Sequence, residues 1–121
     1  MKTLNVGIAS YETMKARSLA IARGESKRKK GEPKVWFTSI ESFAKILSVR
    51  NQALLDIIAT QKPNSLAELE LMSGRAKSNL SRTLRTMENY GLVELGKGEG
   101  GKLIPHVIYD RIALEMHVLS S

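Results

Sequence analysis

The sequence predicts an α+β protein, mostly helical, and three observations carry that expectation. Apolar residues recur at helical spacing through the middle of the chain, from Ile40 to Met87. Two capping patterns, Thr38 with Glu41 and Ser65 with Glu68, mark helix starts there, and Gly74 and Gly91 mark ends. Period-two alternation at both ends, and a glycine-rich run before the second of them, point to short strands and a hairpin outside that block.

Taken in order, Leu4, Val6 and Ile8 alternate with polar or small neighbours, as in a short strand. Ser10 is placed to cap a helix through about Arg23, with Gly24 ending it. The polar, basic run ESKRKKGEP then reads as a linker or exposed loop. Val35-Trp36-Phe37 is a short apolar run. Behind the Thr38 cap, Ile40, Phe43, Ala44 and Leu47 share one helix face. A further helix starts near Val49 or Asn51, buries Leu54, Leu55, Ile57 and Ile58, and stops around Gln61, because proline at position 63 disfavours helix before it.

Ser65 opens a helix of about two turns, with Leu66, Leu69 and Leu71-Met72 as its apolar side. Ser73-Gly74 make a turn, and the next helix runs from roughly Ala76 to Tyr90 with Leu80, Leu84 and Met87 facing inward. Leu92 to Leu95 is a strand, GKGEGGK a hairpin tip, and Leu103 the start of the returning strand. In the last segment Ile112, Leu114, Met116 and Val118 recur with period two, which makes it a strand although its composition would suit a helix. Residues 1–33 are expected to form a strand–helix extension with a basic linker, and residues 34–121 the main domain with its C-terminal strand.

Composition narrows the classes of function. Net charge is +7, from 19 basic and 12 acidic residues, which favours an anionic partner. Aromatics make up 5%, too few for base stacking to be the main mode of recognition. Cysteine is absent, which excludes disulfides and thiolate metal sites. His106 and His117 stand apart from any carboxylate cluster, so neither a metal nor a cofactor is expected. There is no nucleophile–base pair, phosphate-binding glycine loop or pair of acids, and no enzyme is expected. The start lacks the apolar run of a signal peptide, and no stretch approaches the roughly 20 apolar residues of a membrane span, so a cytoplasmic location is expected.

The strongest signal is charge on the second helix of the middle pair. Arg75, Lys77, Arg82 and Arg85 fall in a stretch with no acid between Glu70 and Glu88. With Leu80, Leu84 and Met87 inward, Ser78, Arg82, Arg85 and Asn89 point outward at 100° per residue, flanked by Asn79, Thr83 and Thr86. Arginine matches guanine O6 and N7, asparagine matches adenine N6 and N7, and serine or threonine suits several base edges. Lys77, Ser78, Asn79 and Arg82 are therefore candidates for base contact, Arg85 for phosphate, and Arg75 for either. Lys97 and Lys102 flank Gly98, Glu99, Gly100 and Gly101 in the glycine-rich tip, suited to holding adjacent phosphates.

The string Ser65-Leu66-Ala67-Glu68-Leu69, then Gly74, then Lys77-Ser78-Asn79-Leu80-Ser81-Arg82-Thr83-Leu84, then Gly91-Leu92-Val93-Glu94 resembles the winged helix-turn-helix of prokaryotic transcriptional regulators of the MarR and ArsR type. The ending from Pro105 to Val118, with Tyr109-Asp110-Arg111-Ile112, looks like a smaller group of regulators that includes antitoxins of toxin–antitoxin pairs. The resemblance implies a β-hairpin wing, binding to double-stranded DNA as a homodimer, repression of the protein's own operon and, for the antitoxin group, a cognate toxin partner. Two alternatives remain: a protein-interaction module on a winged-helix scaffold, with the end strands as pairing edges, and RNA binding by the same basic face. Lys27-Arg28-Lys29-Lys30 reads equally as a DNA-tracking arm or a solubilising linker, and Trp36 and Phe37 read as core.

Overall fold

The computed structural model describes residues 2–25 and 32–117. Among these the order is β1 (Thr3–Ile8), α1 (Tyr11–Ala22), β2 (Val35–Phe37), α2 (Ile40–Ile46), α3 (Val49–Gln61), α4 (Leu66–Ser73), α5 (Lys77–Asn89), β3 (Glu94–Lys97), β4 (Leu103–His106) and β5 (Arg111–Met116). The chain is α+β, as expected. No described helix is long and apolar enough to cross a membrane. The basic run 27–30 and the predicted strand end at Val118 lie outside the described residues.

Two compact units divide the chain, one built on Thr3–Lys45 and the segment from Arg111, the other on Ile46–Asp110. This differs from the expected boundary after residue 33, and strand pairing is the cause. In the first unit β1 is the centre of a three-stranded sheet, β2-β1-β5, with both neighbours parallel to it. The chain's two end strands therefore pair with each other, in the register Thr3 with Arg111 through Ile8 with Met116. The expectation of two independent pairing edges fails for this reason: β1 is hydrogen-bonded on both sides.

Within this unit Ser10 caps α1 as predicted, its Oγ accepting from the Thr13 N–H at 3.1 Å. The Trp36 ring lies so close to the β1 backbone that a Cβ on Gly7 would come within 2.5 Å of it. The Arg17 guanidinium of α1 sits over the same ring, 5.6 Å from its centroid, and also pairs with Glu32. On the other face, Leu4, Val6, Ile8 and Phe37 are buried, with Phe43 of α2 packed edge-on against Phe37 at 5.4 Å. The α2 cap is Ser39 rather than Thr38. Because the helix starts one residue later than predicted, Ser39 Oγ meets the Ser42 N–H at 3.1 Å, and no box with Glu41 forms.

The second unit is a cluster of three helices and a hairpin. Ser48 caps α3, whose Leu54 and Ile58 are buried while Leu55 and Ile57 are only half-buried. Ser65 caps α4 through the Glu68 N–H at 3.1 Å, and the Glu68 carboxylate in turn accepts from the Asn64 N–H at 2.9 Å. The first bond is that of a capping box, and the reciprocal one is displaced by a residue, to the N–H before the cap. Leu66 and Leu69 are buried, but Leu71 is 86% exposed: five residues beyond Leu66 a helical side chain has turned well off the inner face.

Gly74 ends α4 with φ at +72°, a left-handed conformation that a side chain would strain, and Ala76 then leads into α5. Leu80, Leu84 and Met87 are buried as predicted. The helix closes when the Leu92 N–H reaches back to the Met87 carbonyl at 2.9 Å. Leu92 and Val93 enter the core, so β3 begins two residues later than expected. It pairs antiparallel with β4 from Glu94 on His106 to Lys97 on Leu103. The tip is a tight turn over Glu99–Gly101, closed by the Gly98 N–H on the Lys102 carbonyl at 2.7 Å.

Candidate nucleic-acid interface

An outward helix face is useful for recognition only if the helix itself is held still. Here α5 is held in two ways. Leu80, Leu84 and Met87 lie on its inner side with almost no exposed surface. Beside that apolar stripe runs a polar tie centred on Arg75, which is 8% exposed. Its Nε donates to Asn79 Oδ1 at 2.9 Å, Nη1 to Asn51 Oδ1 at 2.9 Å and Nη2 to Thr83 Oγ1 at 3.2 Å. One planar guanidinium thus joins the first turn of α3 to the first two turns of α5.

Arginine suits this position because its fork donates in three directions and its charge survives burial. Desolvation, and secondly the charge of nearby Arg50, hold the guanidinium pKa below its ordinary value. The three oxygens that receive its protons are all neutral, so the tie depends on hydrogen bonding rather than on an ion pair.

The tie changes the roles expected of three residues. Arg75, predicted to contact base or phosphate, is buried and committed to its own chain. Asn79 is half-buried and its carbonyl oxygen accepts from Arg75, which takes one of that oxygen's two lone pairs and orients the amide toward its own chain. Thr83 is likewise half-buried and accepts from Arg75. The sequence carried part of a signal for this: Asn79 and Thr83 are four apart, on one stripe of α5, and Arg75 lies just before the helix, four residues ahead of Asn79. The long-range partner, Asn51, carried none.

The remaining candidates are gathered on the surface. Lys77, Ser78, Arg82, Arg85 and Asn89 are all exposed along α5, and Lys97 and Lys102 are exposed on the hairpin. Among the described residues none of these five cations forms an ion pair. Arg50 in the first turn of α3, which the sequence did not single out, is also exposed and close enough to Arg75 to depress its pKa.

The start of α5 differs from those of the other helices. Ser10, Ser39, Ser48 and Ser65 each accept a backbone N–H at a helix start, whereas Ala76 offers no side-chain cap to α5. The first turn of α5 also holds no acid and begins on Lys77. Uncapped N–H groups, the positive end of the helix dipole and a lysine all favour an anion there.

The second unit is therefore a small helical cluster with a hairpin, presenting one unpaired cationic helix face. The chain belongs to the HVO_A0114 family, whose model matches residues 46–114, more than half of its 121 residues. That match begins at the residue where the second unit begins. No curated protein and no solved structure matches the chain.

Proposed function

We propose that residues 46–110 form a winged helix-turn-helix, with α4 and α5 as the paired helices and β3–β4 as the wing, and that the protein is a dimeric, sequence-specific DNA-binding repressor. The observation that carries this reading is the α5 surface. Ser78, Arg82 and Arg85 are exposed together, opposite the buried Leu80, Leu84 and Met87, and Lys77 is exposed as the first residue of the helix, all without carboxylate partners among the described residues. Such a face offers hydrogen bonds to base edges in the major groove and charge to the flanking phosphates. Lys97 and Lys102 on the hairpin add sequence-independent hold on the backbone.

Recognition falls to a narrower set than the residue types alone suggested. Lys77, Ser78 and Arg82 read bases, Arg85 and the hairpin lysines meet phosphate, and Arg75, Asn79 and Thr83 orient the helix. The test is selection from random duplexes, followed by titration of Arg82→Ala on the selected site and on single-base variants of it. Loss of about 1–3 kcal/mol on the cognate site, with relaxed discrimination at one base pair, is expected. Equal affinity of wild type and variant across all sites would overturn the assignment. A protein-interaction role by the second unit is favoured by the exposure of Val49 on α3 and Leu71 on α4. It predicts instead that no duplex sequence is enriched.

A further inference from the structure

Among the described residues the sheet of the first unit has two outer strands, β2 of three residues and β5 of six, and β5 offers the longer open edge. β5 is an outer strand of the parallel sheet, and every residue from Arg111 to Met116 is exposed. Register puts Ile112 beside Leu4, Leu114 beside Val6 and Met116 beside Ile8, so these three share the face on which β1 is buried. Yet they remain 36%, 43% and 51% exposed. An edge strand with a bare apolar stripe is unusual, because such edges are normally blunted by charge, proline or a covering element.

The charges on β5 lie where they select a partner. Arg111 and Glu115 sit on the opposite face from the stripe, four residues apart, with Ala113 midway between them. If two copies of this strand meet antiparallel with Ala113 opposite Ala113, each Arg111 faces the other copy's Glu115, and each Ile112 faces the other copy's Leu114. The strand is thus complementary to itself in charge and at two of its three apolar positions, with Met116 falling opposite Asp110 just outside the strand. A slip of one residue would place the two apolar stripes on opposite faces of the joined sheet. A slip that centres Leu114 would pair Ala113 with Glu115 and lose both charge pairs. Within a single chain the partner of Glu115 among the described residues is the exposed His117 ring, at 3.3 Å.

We propose that β5 is the dimerisation strand, adding antiparallel to β5 of a second copy about a two-fold axis at Ala113 to make one continuous six-stranded sheet. Antiparallel pairing is what a two-fold axis imposes on identical edges, and an antiparallel junction in an otherwise parallel sheet is common. Cross-strand opposite charges stabilise such a pair and like charges directly opposite destabilise it. The inference deepens the dimeric reading above by naming the interface, and rests on it only for the purpose a dimer serves.

The test is mass in solution without DNA, so that its outcome is separate from that of the DNA titration. Sedimentation equilibrium of the full chain should give twice 13.4 kDa. Arg111→Glu sets two Glu–Glu contacts at the junction and Glu115→Arg sets two Arg–Arg contacts. Each alone should weaken self-association by about tenfold or more. Mixed in equal amounts, the two variants are complementary at both positions and should form a mixed dimer as tight as wild type. Both residues are exposed, and unchanged circular dichroism of each variant would verify its fold. A monomeric wild-type chain at the highest soluble concentration overturns the proposal, as does a dimer indifferent to either reversal or a mixture that fails to recover.

Discussion

Arg75→Ala removes the tie between α3 and α5 without touching the exposed face of α5. Three hydrogen bonds from a charged donor are lost, each of a kind nominally worth about 1.5–3 kcal/mol. Asn51, Asn79 and Thr83 are half-buried, however, and water replaces part of what the guanidinium gave them. That reduces the loss to about 1 kcal/mol per bond, or about 3 kcal/mol in total. For a domain of this size the melting temperature should fall by about 10–20 °C. Arg75→Lys keeps the charge but presents a single ammonium in place of a three-way fork, and should lose about two-thirds as much. Thermal unfolding followed by far-ultraviolet circular dichroism measures both, with Arg82→Ala as a surface control expected within about 0.5 kcal/mol of wild type. Hydrogen exchange should then localise the loosening to the first two turns of α5. If Arg75→Ala melts within about 2 °C of that control, the tie contributes nothing and the orienting role of Arg75 is refuted.

Two further outcomes follow from other parts of the structure. Lys102→Ala should weaken binding evenly across DNA sequences and lower the slope of log affinity against log salt by about 1, as loss of one phosphate contact requires. A slope equal to wild type would remove the hairpin from the interface. Gly7→Ala would bring a methyl group within 2.5 Å of the Trp36 ring, force the ring out from under Arg17 and destabilise the first unit by about 1–3 kcal/mol. Trp36 is the only tryptophan, so its emission reports the displacement directly, and an unshifted spectrum with unchanged stability would contradict the packing described.

Local physics made most elements legible in the sequence. Ser10, Ser65, Gly74 and Gly91 announce helix ends through hydrogen bonds and backbone angles that involve near neighbours only. The inner face of α5 follows from periodicity against a core, which needs no knowledge of what the core contains. The strand at residues 112–116 was recoverable even though its composition imitates a helix, because a period of two is a geometric property of the chain.

Tertiary structure alone decided the rest. Which strand pairs with which depends on contacts over a hundred residues apart, so the parallel union of β1 with β5, and with it the division into units, left no trace in local pattern. The fate of Arg75 was hidden for the same reason. A basic residue before a basic helix reads as part of its charge, until Asn51 arrives from another helix and turns the guanidinium inward. Composition and spacing marked α5 as the cationic helix. Burial and hydrogen bonding separated the cations that remain free to meet another molecule from the one that holds them in place.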